Sequence, residues 1–304
     1  MSRLNISRQQ IKNLMLPIAM VGGAVFYKWM GYLSFLSPYL IFMMLFITYC
    51  KLKIKDIKPG KEHLLLISVQ LALAFCIYFI LSPLNHTVGE GVFICIFIPT
   101  ATAAPVITAM LGGSISFVAT YSLLCNAFVA VAGPFILAAI GDHPEITFVE
   151  STMIISSKVF PLILGPLAIA MLLRYVFPKI HSKIESHQSI SFYLWAVSLF
   201  IIVGSCVSFT INTWDNNLLG TVISLVVGAL VVCLLQFKVG RTIGKRFGDA
   251  VSGGQSLGQK NTVLAVWIAM AYMNPIASIA PAAYIAWQNI VNSWQLVRHS
   301  HNVK

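Results

Sequence analysis

The sequence consists of apolar runs separated by short polar loops, and each run has about the 20 residues that a helix needs to cross the hydrocarbon core of a bilayer. Of the 304 residues, 58% are hydrophobic and only 10% are charged, whereas soluble domains carry about 25% charged residues. Such a chain has too little polar surface to cover itself in water. The pattern therefore predicts an all-α polytopic membrane protein whose largest partner is the lipid bilayer.

The apolar runs divide into ten predicted transmembrane spans, and the charges between them are distributed asymmetrically. Basic residues concentrate at both termini and in the loops after spans 2, 6 and 8, whereas the opposite loops hold five acids and one basic residue, Lys28. By the positive-inside rule we expect both termini in the cytoplasm and the protein in the cytoplasmic membrane. The spans are predicted at residues 13–30, 33–50, 64–81, 91–111, 116–140, 152–177, 192–211, 218–237, 251–273 and 276–296.

The net charge of +11 comes from those loops, so it indicates membrane topology and not a nucleic-acid partner. The cysteines and histidines lack metal-ligand spacing, and no phosphate-binding, hydrolase or zinc-protease motif is present. The sequence therefore predicts neither a cofactor nor an enzyme. The apolar run after the basic N-terminal segment has no small-residue cleavage pattern, which favours a retained first span over a cleaved signal peptide.

Two predicted spans are interrupted at corresponding places in the two halves of the chain. The fourth contains Pro99 and Pro105, and the ninth contains a polar, glycine-rich stretch at residues 253–262. Five spans per half force the second half to insert upside down relative to the first, and paired interruptions point to an inverted-repeat transporter. We therefore predict one transmembrane unit at residues 1–304, with repeat 1 at residues 11–141 and repeat 2 at residues 151–297.

The interruptions predict a binding site, because a broken helix offers carbonyl groups on one side and N–H groups on the other. Lys260 lies in the second interruption, and a charge at mid-membrane costs about 3 kcal/mol and normally marks function. The alternative is a structural role for Lys260, as a plug that binds the exposed carbonyls. Lys158 lies near the outer end of span 6, where its ammonium is expected to extend to the surface.

The balance of charge inside the membrane indicates the class of substrate. None of the acidic residues falls inside a predicted span, so two lysines without an acid favour a small organic anion. Because burial disfavours the charged form of a lysine, Lys260 is also a candidate proton carrier.

Other polar residues within the spans are candidates by the same reasoning, although a hydrogen bond between helices explains each of them equally well. Asn261 adjoins Lys260, and Gln288 and Asn289 are adjacent in the next span, so clustering favours these three. The other polar candidates are Gln70, Thr102, Thr108 and Asn126, and Ser256 and Gln259 belong to the interrupted stretch itself.

Five parts of the sequence together carry a resemblance to a known family. The motifs are FMMLFIT with KIKDI at residues 42–57, SVQ at 68–70, TAAPV at 102–106, GQKNTVLA at 258–265, and PAA with WQNI at 281–290. In this order they resemble the bile acid:sodium symporter family, within its wider superfamily of inverted five-span repeats. The resemblance implies a panel of spans 1, 2, 6 and 7, a core of spans 3–5 and 8–10, and a crossing of the broken spans 4 and 9. It also implies transport of organic anions coupled to two sodium ions.

The sequence departs from that family at the sodium sites. Ser256 and Lys260 stand where the family has a sodium-binding glutamate and glutamine, and Asn126 stands roughly where it has a threonine. Ala104 and Pro105 replace a fourth-span serine and asparagine, whereas Gln70 is retained. On the substrate side, the family's asparagines correspond to Asn261 and Asn289 and its histidine to Gln288, and Thr102 and Thr108 complete the predicted substrate-binding set.

The resulting hypothesis is a secondary transporter of an organic anion that is not coupled to sodium. The Lys260 ammonium would stand where a sodium ion binds, and transport would be facilitated or proton-linked. Two alternatives stay open: a sodium-coupled symporter of bile-acid-like anions, and a non-transporting membrane receptor built on a transporter fold.

Overall fold

The computed structural model describes residues 8–52, 57–101, 103–141, 147–187, 189–215 and 217–302. All regular secondary structure within these ranges is helical. The helices are α1 (Arg8–Val25), α2 (Tyr27–Leu33), α3 (Ser37–Cys50), α4 (Lys61–Leu81), α5 (His86–Phe97), α6 (Ala104–Met110), α7 (Ile115–Ile140), α8 (Phe148–Val176), α9 (Pro178–Ser186), α10 (Ser189–Asn212), α11 (Leu218–Arg246), α12 (Ala250–Gly258), α13 (Thr262–Tyr272) and α14 (Ile279–Asn302). Two 3₁₀ helices, Ser34–Leu36 and Pro275–Ser278, precede α3 and α14.

Among the described residues, six helical segments are long and apolar enough to cross a membrane, which supports an integral membrane protein. They are Tyr27–Cys50, Lys61–Leu81, Ile115–Ile140, Phe148–Val176, Tyr193–Asn212 and Leu218–Arg246. The helices α5 and α13 are apolar but shorter, because each is one part of an interrupted span. The count of ten spans also requires α1, α14 and the two interrupted pairs to cross, and it stays a prediction.

The first helix boundary differs from the predicted one. We expected the first span to end at Met30 and the second to begin at Leu33. In the structure α1 ends at Val25, and α2, the 3₁₀ helix and α3 continue without a loop from Tyr27. Gly31 therefore lies inside a helix, where a glycine lowers helix stability without ending it.

The helices form two groups by packing. In the first group, α1, α2 and α3 pack against α10, and α3 also packs against α8. In the second group, α4 packs on α5, and α11 packs on α5, α12 and α14. The helices α7 and α8 pack against each other and connect the two groups.

Glycines allow the closest helix contacts in both groups. A Cβ atom on Gly23 or Gly204 would collide with the backbone of the facing helix where α1 meets α10. A Cβ atom on Gly253 would similarly collide with the carbonyl oxygen of Gly240, where α12 meets α11. Small residues at such positions let helix backbones approach closely within a membrane, where van der Waals packing drives association.

The position of these glycines corrects one prediction. We expected residues 253–262 to be a glycine-broken segment, yet α12 is helical through Gly258 and only residues 259–261 are not. Gly253 and Gly254 lie inside the helix and face α11. Their role is close packing and not chain reversal, because a glycine in a helix saves the space that a side chain would occupy.

The turn between α11 and α12 anchors the start of α12. Gly248 has a φ of 79°, a left-handed conformation that favours glycine, and the backbone N–H of Asp249 donates to the carbonyl of Gly244 at 3.0 Å. The Asp249 carboxylate then accepts from the backbone N–H of Ser252 at 2.8 Å, as an N-cap, and from that of Ser114 at 3.0 Å. One carboxylate thus joins the start of α12 to the residue that precedes α7.

These hydrogen bonds change the acidity of Asp249. Its partial burial acts to raise the pKa, but the hydrogen bonds from the side chain and backbone of Ser252 and from the backbone of Ser114 outweigh it and hold the pKa below its ordinary value. The carboxylate therefore stabilises the folded state fully above the unfolded pKa of about 3.9, and this contribution disappears as the pH falls through the lower folded pKa.

We expect Gly253→Ala to destabilise the protein by about 1–3 kcal/mol, because the new methyl group must displace the backbone of α11. The measurement is thermal unfolding of the purified protein in detergent. Gly220→Ala is the matched control, since a Cβ atom there meets nothing within 4 Å. Equal melting temperatures for the Gly253 variant and the parent would contradict the close approach of α11 and α12.

We expect Asp249→Asn to remove acid sensitivity while preserving the cap, because asparagine is as good an N-cap as aspartate. Between pH 5 and pH 3 the parent should lose more thermal stability than the variant. Asp249→Ala should cost about 1 kcal/mol at neutral pH, since it removes the cap itself. Parallel pH profiles for the parent and the asparagine variant would argue against a carboxylate with a lowered pKa.

Candidate functional site at the helix crossing

The two interrupted spans meet in the interior of the protein. We call residues 98–101 and 259–261 together the crossing. There, Thr100 and Lys260 form an antiparallel bridge. The backbone N–H of Ala101 donates to the carbonyl of Gln259 at 3.0 Å, and that of Asn261 donates to the carbonyl of Pro99 at 2.9 Å. Each irregular segment therefore satisfies the backbone of the other.

Local sequence explains why both helices stop at the crossing. Pro99 forces the residue before it out of the helical conformation, and Ile98 accordingly has φ −58° and ψ 148°. Pro105 then occupies the first turn of α6, where its missing N–H is not needed. On the other chain segment, Asn261 caps α13 by accepting from the backbone N–H of Leu264 at 3.3 Å.

A glutamine and a tyrosine cap the carbonyl end of α5. The Gln70 side-chain amide donates to the carbonyls of Phe97 at 2.8 Å and Ile98 at 3.3 Å. The Tyr121 hydroxyl in turn donates to the Gln70 side-chain oxygen at 2.7 Å, which fixes the orientation of the amide. Gln70, the end of α5 and Tyr121 belong to three consecutive predicted spans in the first half of the chain.

A second glutamine and tyrosine cap the carbonyl end of α12, with the roles of the two residues exchanged. The Tyr284 hydroxyl donates to the carbonyl of Gly258 at 2.8 Å and accepts from the Gln236 amide at 3.0 Å. Gln236 also donates to the carbonyl of Cys95 at 3.3 Å. The two caps therefore correspond: in each half, one glutamine and one tyrosine from the flanking helices serve the carbonyl end of a half-helix.

Lys260 places an ammonium group at this crossing. Its side chain is 1% exposed, and its Nζ donates to the carbonyl of Ile98 at 3.2 Å. Its backbone N–H donates to the side-chain oxygen of Gln288 at 2.9 Å. Within the described part of the chain no carboxylate pairs with it, so the negative end of the α5 dipole is its nearest electrostatic compensation.

Several buried polar atoms near the crossing have no hydrogen-bond partner among the described residues. Such an atom costs about 1–3 kcal/mol, and each one in a folded protein calls for an explanation. They include both acceptors and a donor, which suits a ligand with oxygen atoms and hydroxyl groups. The atoms are Oδ1 of Asn126, Oγ of Ser256, Oε1 of Gln259 and Nδ2 of Asn261.

The structure brings most of the predicted coupling residues together. Lys260, Gln259 and Asn261 form one side of the crossing, Gln70 caps α5, and the carbonyl of Ser256 accepts from the Thr100 hydroxyl at 2.6 Å. Asn126 is one step removed, because its amide donates to the carbonyl of its helix neighbour Ser122 at 2.7 Å, and the Ser122 hydroxyl donates to the Thr100 carbonyl at 3.3 Å.

The predicted substrate-binding residues are less concentrated. Gln288 and Asn261 reach the crossing, whereas Asn289 donates to the carbonyl of Ile285 on its own helix at 2.7 Å. Thr108 is buried and likewise donates to a carbonyl of its own helix, that of Ala104, at 2.8 Å. Thr102 lies outside the described residues.

Four residues that hold the crossing together were not predicted from the sequence. For Thr100, Tyr121 and Tyr284, burial and partners are not evident from local sequence. Gln236 did carry a signal, since it is a polar residue in an apolar run and is now 1% exposed.

Glu90 corrects the prediction that no acid lies within a span. We placed it in a loop before the fourth span, but Asn85 caps α5 one turn earlier, so Glu90 is helical and fully buried. Its carboxylate accepts from the backbone N–H of Asn274 at 3.1 Å. It lies eight residues before Ile98 on the chain, a distance of about 12 Å along a helix, and therefore does not pair with Lys260.

No protein-family model matches the chain, and a search of curated proteins finds no match either. The resemblance to the bile acid:sodium symporter family therefore stays a hypothesis that rests on the five sequence motifs.

We expect Tyr284→Phe to lower the stability of the protein by about 1–2 kcal/mol, because it leaves the carbonyl of Gly258 without its donor. Tyr272→Phe is the matched control, since that ring is also largely buried and the structure records no hydrogen bond from its hydroxyl among the described residues. Thermal unfolding in detergent provides the comparison. Equal effects of the two substitutions would mean that the cap contributes nothing.

Proposed function

We propose that the protein is a secondary transporter that carries an organic anion across the membrane by alternating access. The main support for this proposal is the Lys260 ammonium, which is buried where the two interrupted helices cross. It has no carboxylate partner in the described part of the chain. Burying a charge has a large desolvation cost, and charges buried among membrane-embedded helices normally mark function.

The correspondence between the two halves supports a transporter of inverted repeats. Both interruptions are capped by a glutamine and a tyrosine, and the two segments pair antiparallel, as a two-fold axis in the membrane plane would require. In inverted-repeat transporters the substrate site lies at such broken helices. The separate packing of α1–α3 with α8 and α10 supports a panel that moves relative to a core.

The same hydrogen bonds favour an anion over a sodium ion. A sodium ion at the crossing would be repelled by the Lys260 ammonium, which donates together with Gln70 to the carbonyl of Ile98. Gln70 turns its amide nitrogen toward α5, because its oxygen accepts from Tyr121. The Lys260 ammonium thus supplies from the protein itself the positive charge that a symporter takes from sodium, and the substrate supplies the negative charge.

Coupling in this proposal is either absent or carried by a proton. Lys260 is the group that would carry it, since the neutral amine is favoured by burial and the ammonium by a bound anion. The resemblance to the bile acid:sodium symporter family supports steroid acids and other carboxylates as the first substrates to test.

The test begins with ligand stabilisation of the purified protein by taurocholate and a panel of small carboxylates and sulfates. Compounds that raise the melting temperature are then added in radiolabelled form outside proteoliposomes that contain the protein. Their uptake is measured with either sodium or potassium in the outside buffer. We expect equal uptake in both salts. Uptake that requires a sodium gradient would establish the symporter alternative, and saturable stabilisation without uptake would establish the receptor alternative.

We expect Lys260→Met to reduce this uptake at least ten-fold while leaving the melting temperature unchanged or higher. Its methyl thioether fills similar space, and removing an unpaired buried charge lowers a desolvation cost. Lys158→Met is the matched control, because Lys158 also lies within a helix of the membrane region but is exposed. Unchanged uptake in Lys260→Met would contradict the role of its ammonium, and a lower melting temperature with unchanged uptake would assign it a structural role.

A further inference from the structure

A groove with a volume of about 960 Å³ lies between the C-terminal parts of α11 and α14, with the start of α12 at its floor. It is separate from the crossing, since none of the crossing residues lines it. We call it the α11–α14 groove. Its volume is within the range of about 300–1,000 Å³ that is typical of binding sites for small molecules.

Cations line one end of the groove. Lys238, Arg241 and Lys245 recur at helical spacing on one face of α11, and Arg298 faces them from α14. No acidic residue lines the groove, and none of the four cations forms an ion pair in the part of the chain that the structure describes. This end therefore offers a concentrated positive charge without an internal counter-charge.

Another basic residue on the same predicted side of the membrane is used by the protein itself. The Arg174 guanidinium donates to the carbonyl of Leu52 at 2.7 Å and thereby closes the C-terminal end of α3. The four groove cations have no hydrogen bond of this kind from their side chains among the described residues. They are available to a ligand, whereas Arg174 is occupied by the protein.

Two of the cations are nevertheless held in place. The Arg298 guanidinium lies 5.4 Å from the centre of the Trp294 ring, a cation–π distance. The side-chain stem of Arg241 lies against Gly254 of α12, where any larger residue would collide with it. Arg241 is half-buried as a result, and it lines the groove.

The other end of the groove is apolar and open to the surroundings. Leu234, Ile290 and Trp294 line it and are 51%, 57% and 57% exposed. Leu234 lies one turn before Lys238 on α11, and Ile290 lies two turns before Arg298 on α14. The groove thus changes along the helix axes from cationic to apolar, as the edge of a bilayer changes from headgroup to hydrocarbon.

We propose that the α11–α14 groove binds an anionic phospholipid, with the phosphate among the cations and an acyl chain along Leu234 and Ile290. A soluble anion would match the cationic end alone and would leave the exposed apolar walls unused. Clusters of basic residues next to membrane-embedded helices attract anionic headgroups with about 1 kcal/mol for each lysine or arginine. The proposal requires only that the protein lies in a membrane and does not depend on what it transports.

The position of the groove gives the lipid a structural consequence. One wall, α11, packs along α12. The other wall, α14, accepts hydrogen bonds from Gln255 of α12 at Asn292 and Gln295. The helix α12 then leads directly into the crossing. A lipid in the groove would bridge α11 and α14 and stabilise this part of the protein against unfolding, as any ligand specific for the folded state does.

The test is a titration of the purified full-length protein with phosphatidylglycerol or phosphatidylcholine of the same acyl chains, followed by native mass spectrometry. The triple variant Arg241→Gln, Lys245→Gln and Arg298→Gln is compared with a control that removes the same charge elsewhere, Lys51→Gln, Lys179→Gln and Lys183→Gln. Each cation is expected to contribute about five-fold to the affinity. We therefore expect the groove variant to bind phosphatidylglycerol about 100-fold more weakly than the parent protein, and the control variant less than about two-fold more weakly.

A second readout tests the acyl chain. Phosphatidylglycerol brominated on its acyl chain should quench tryptophan fluorescence, and Trp294→Phe should remove a distinct part of that quenching. Equal losses of binding in the two triple variants, equal binding of phosphatidylcholine, or unchanged quenching in Trp294→Phe would each overturn the proposal. So would competition by glycerol 3-phosphate at the concentrations at which the lipid binds, because the site would then belong to a soluble anion.

Discussion

The whole structure depends on how two helix ends are satisfied inside a membrane. An interrupted helix exposes carbonyl and N–H groups, and each one left unpaired in an apolar interior costs several kcal/mol. The protein answers with three sets of hydrogen bonds: the mutual pairing of residues 98–101 and 259–261, the cap of Gln70 and Tyr121, and the cap of Gln236 and Tyr284. The irregular backbone is therefore stable only because side chains from the surrounding helices donate hydrogen bonds to it.

Lys260 brings a positive charge to the crossing. The carbonyl of Ile98 accepts from Lys260 and from Gln70, so one helix end stabilises a positive charge and an amide dipole together. This leaves the crossing cationic, and polar atoms of Ser256, Gln259 and Asn261, close by in the sequence, have no hydrogen-bond partner among the described residues. A substrate that carries a negative charge would complete the electrostatics, which is the physical basis of the proposed transport of an organic anion. The cationic end of the α11–α14 groove likewise has no acidic lining residue, so an anionic headgroup would supply the counter-charge there.

The sequence predicted the broad features well because these depend on local chemistry. Pro99 ends α5 by restricting its neighbour, and long apolar runs can only be satisfied as buried or lipid-facing helices. It was less successful where a residue's role depends on a distant partner. Gly253 looked like a helix breaker but packs inside a helix against α11, and Glu90 looked like a loop acid but is buried under the backbone of Asn274.

For the candidate site, the sequence by itself determined that a lysine and several amides lie in interrupted apolar spans, since charge and backbone chemistry are properties of each residue. Only the tertiary structure decided that Lys260 and Gln70 share the carbonyl of Ile98, while Thr108 and Asn289 bond within their own helices. Thr100 and Lys260 are 160 positions apart in the chain. Their pairing follows from how whole helices pack, and helix packing depends on surface shape and burial across many residues, which no local pattern contains.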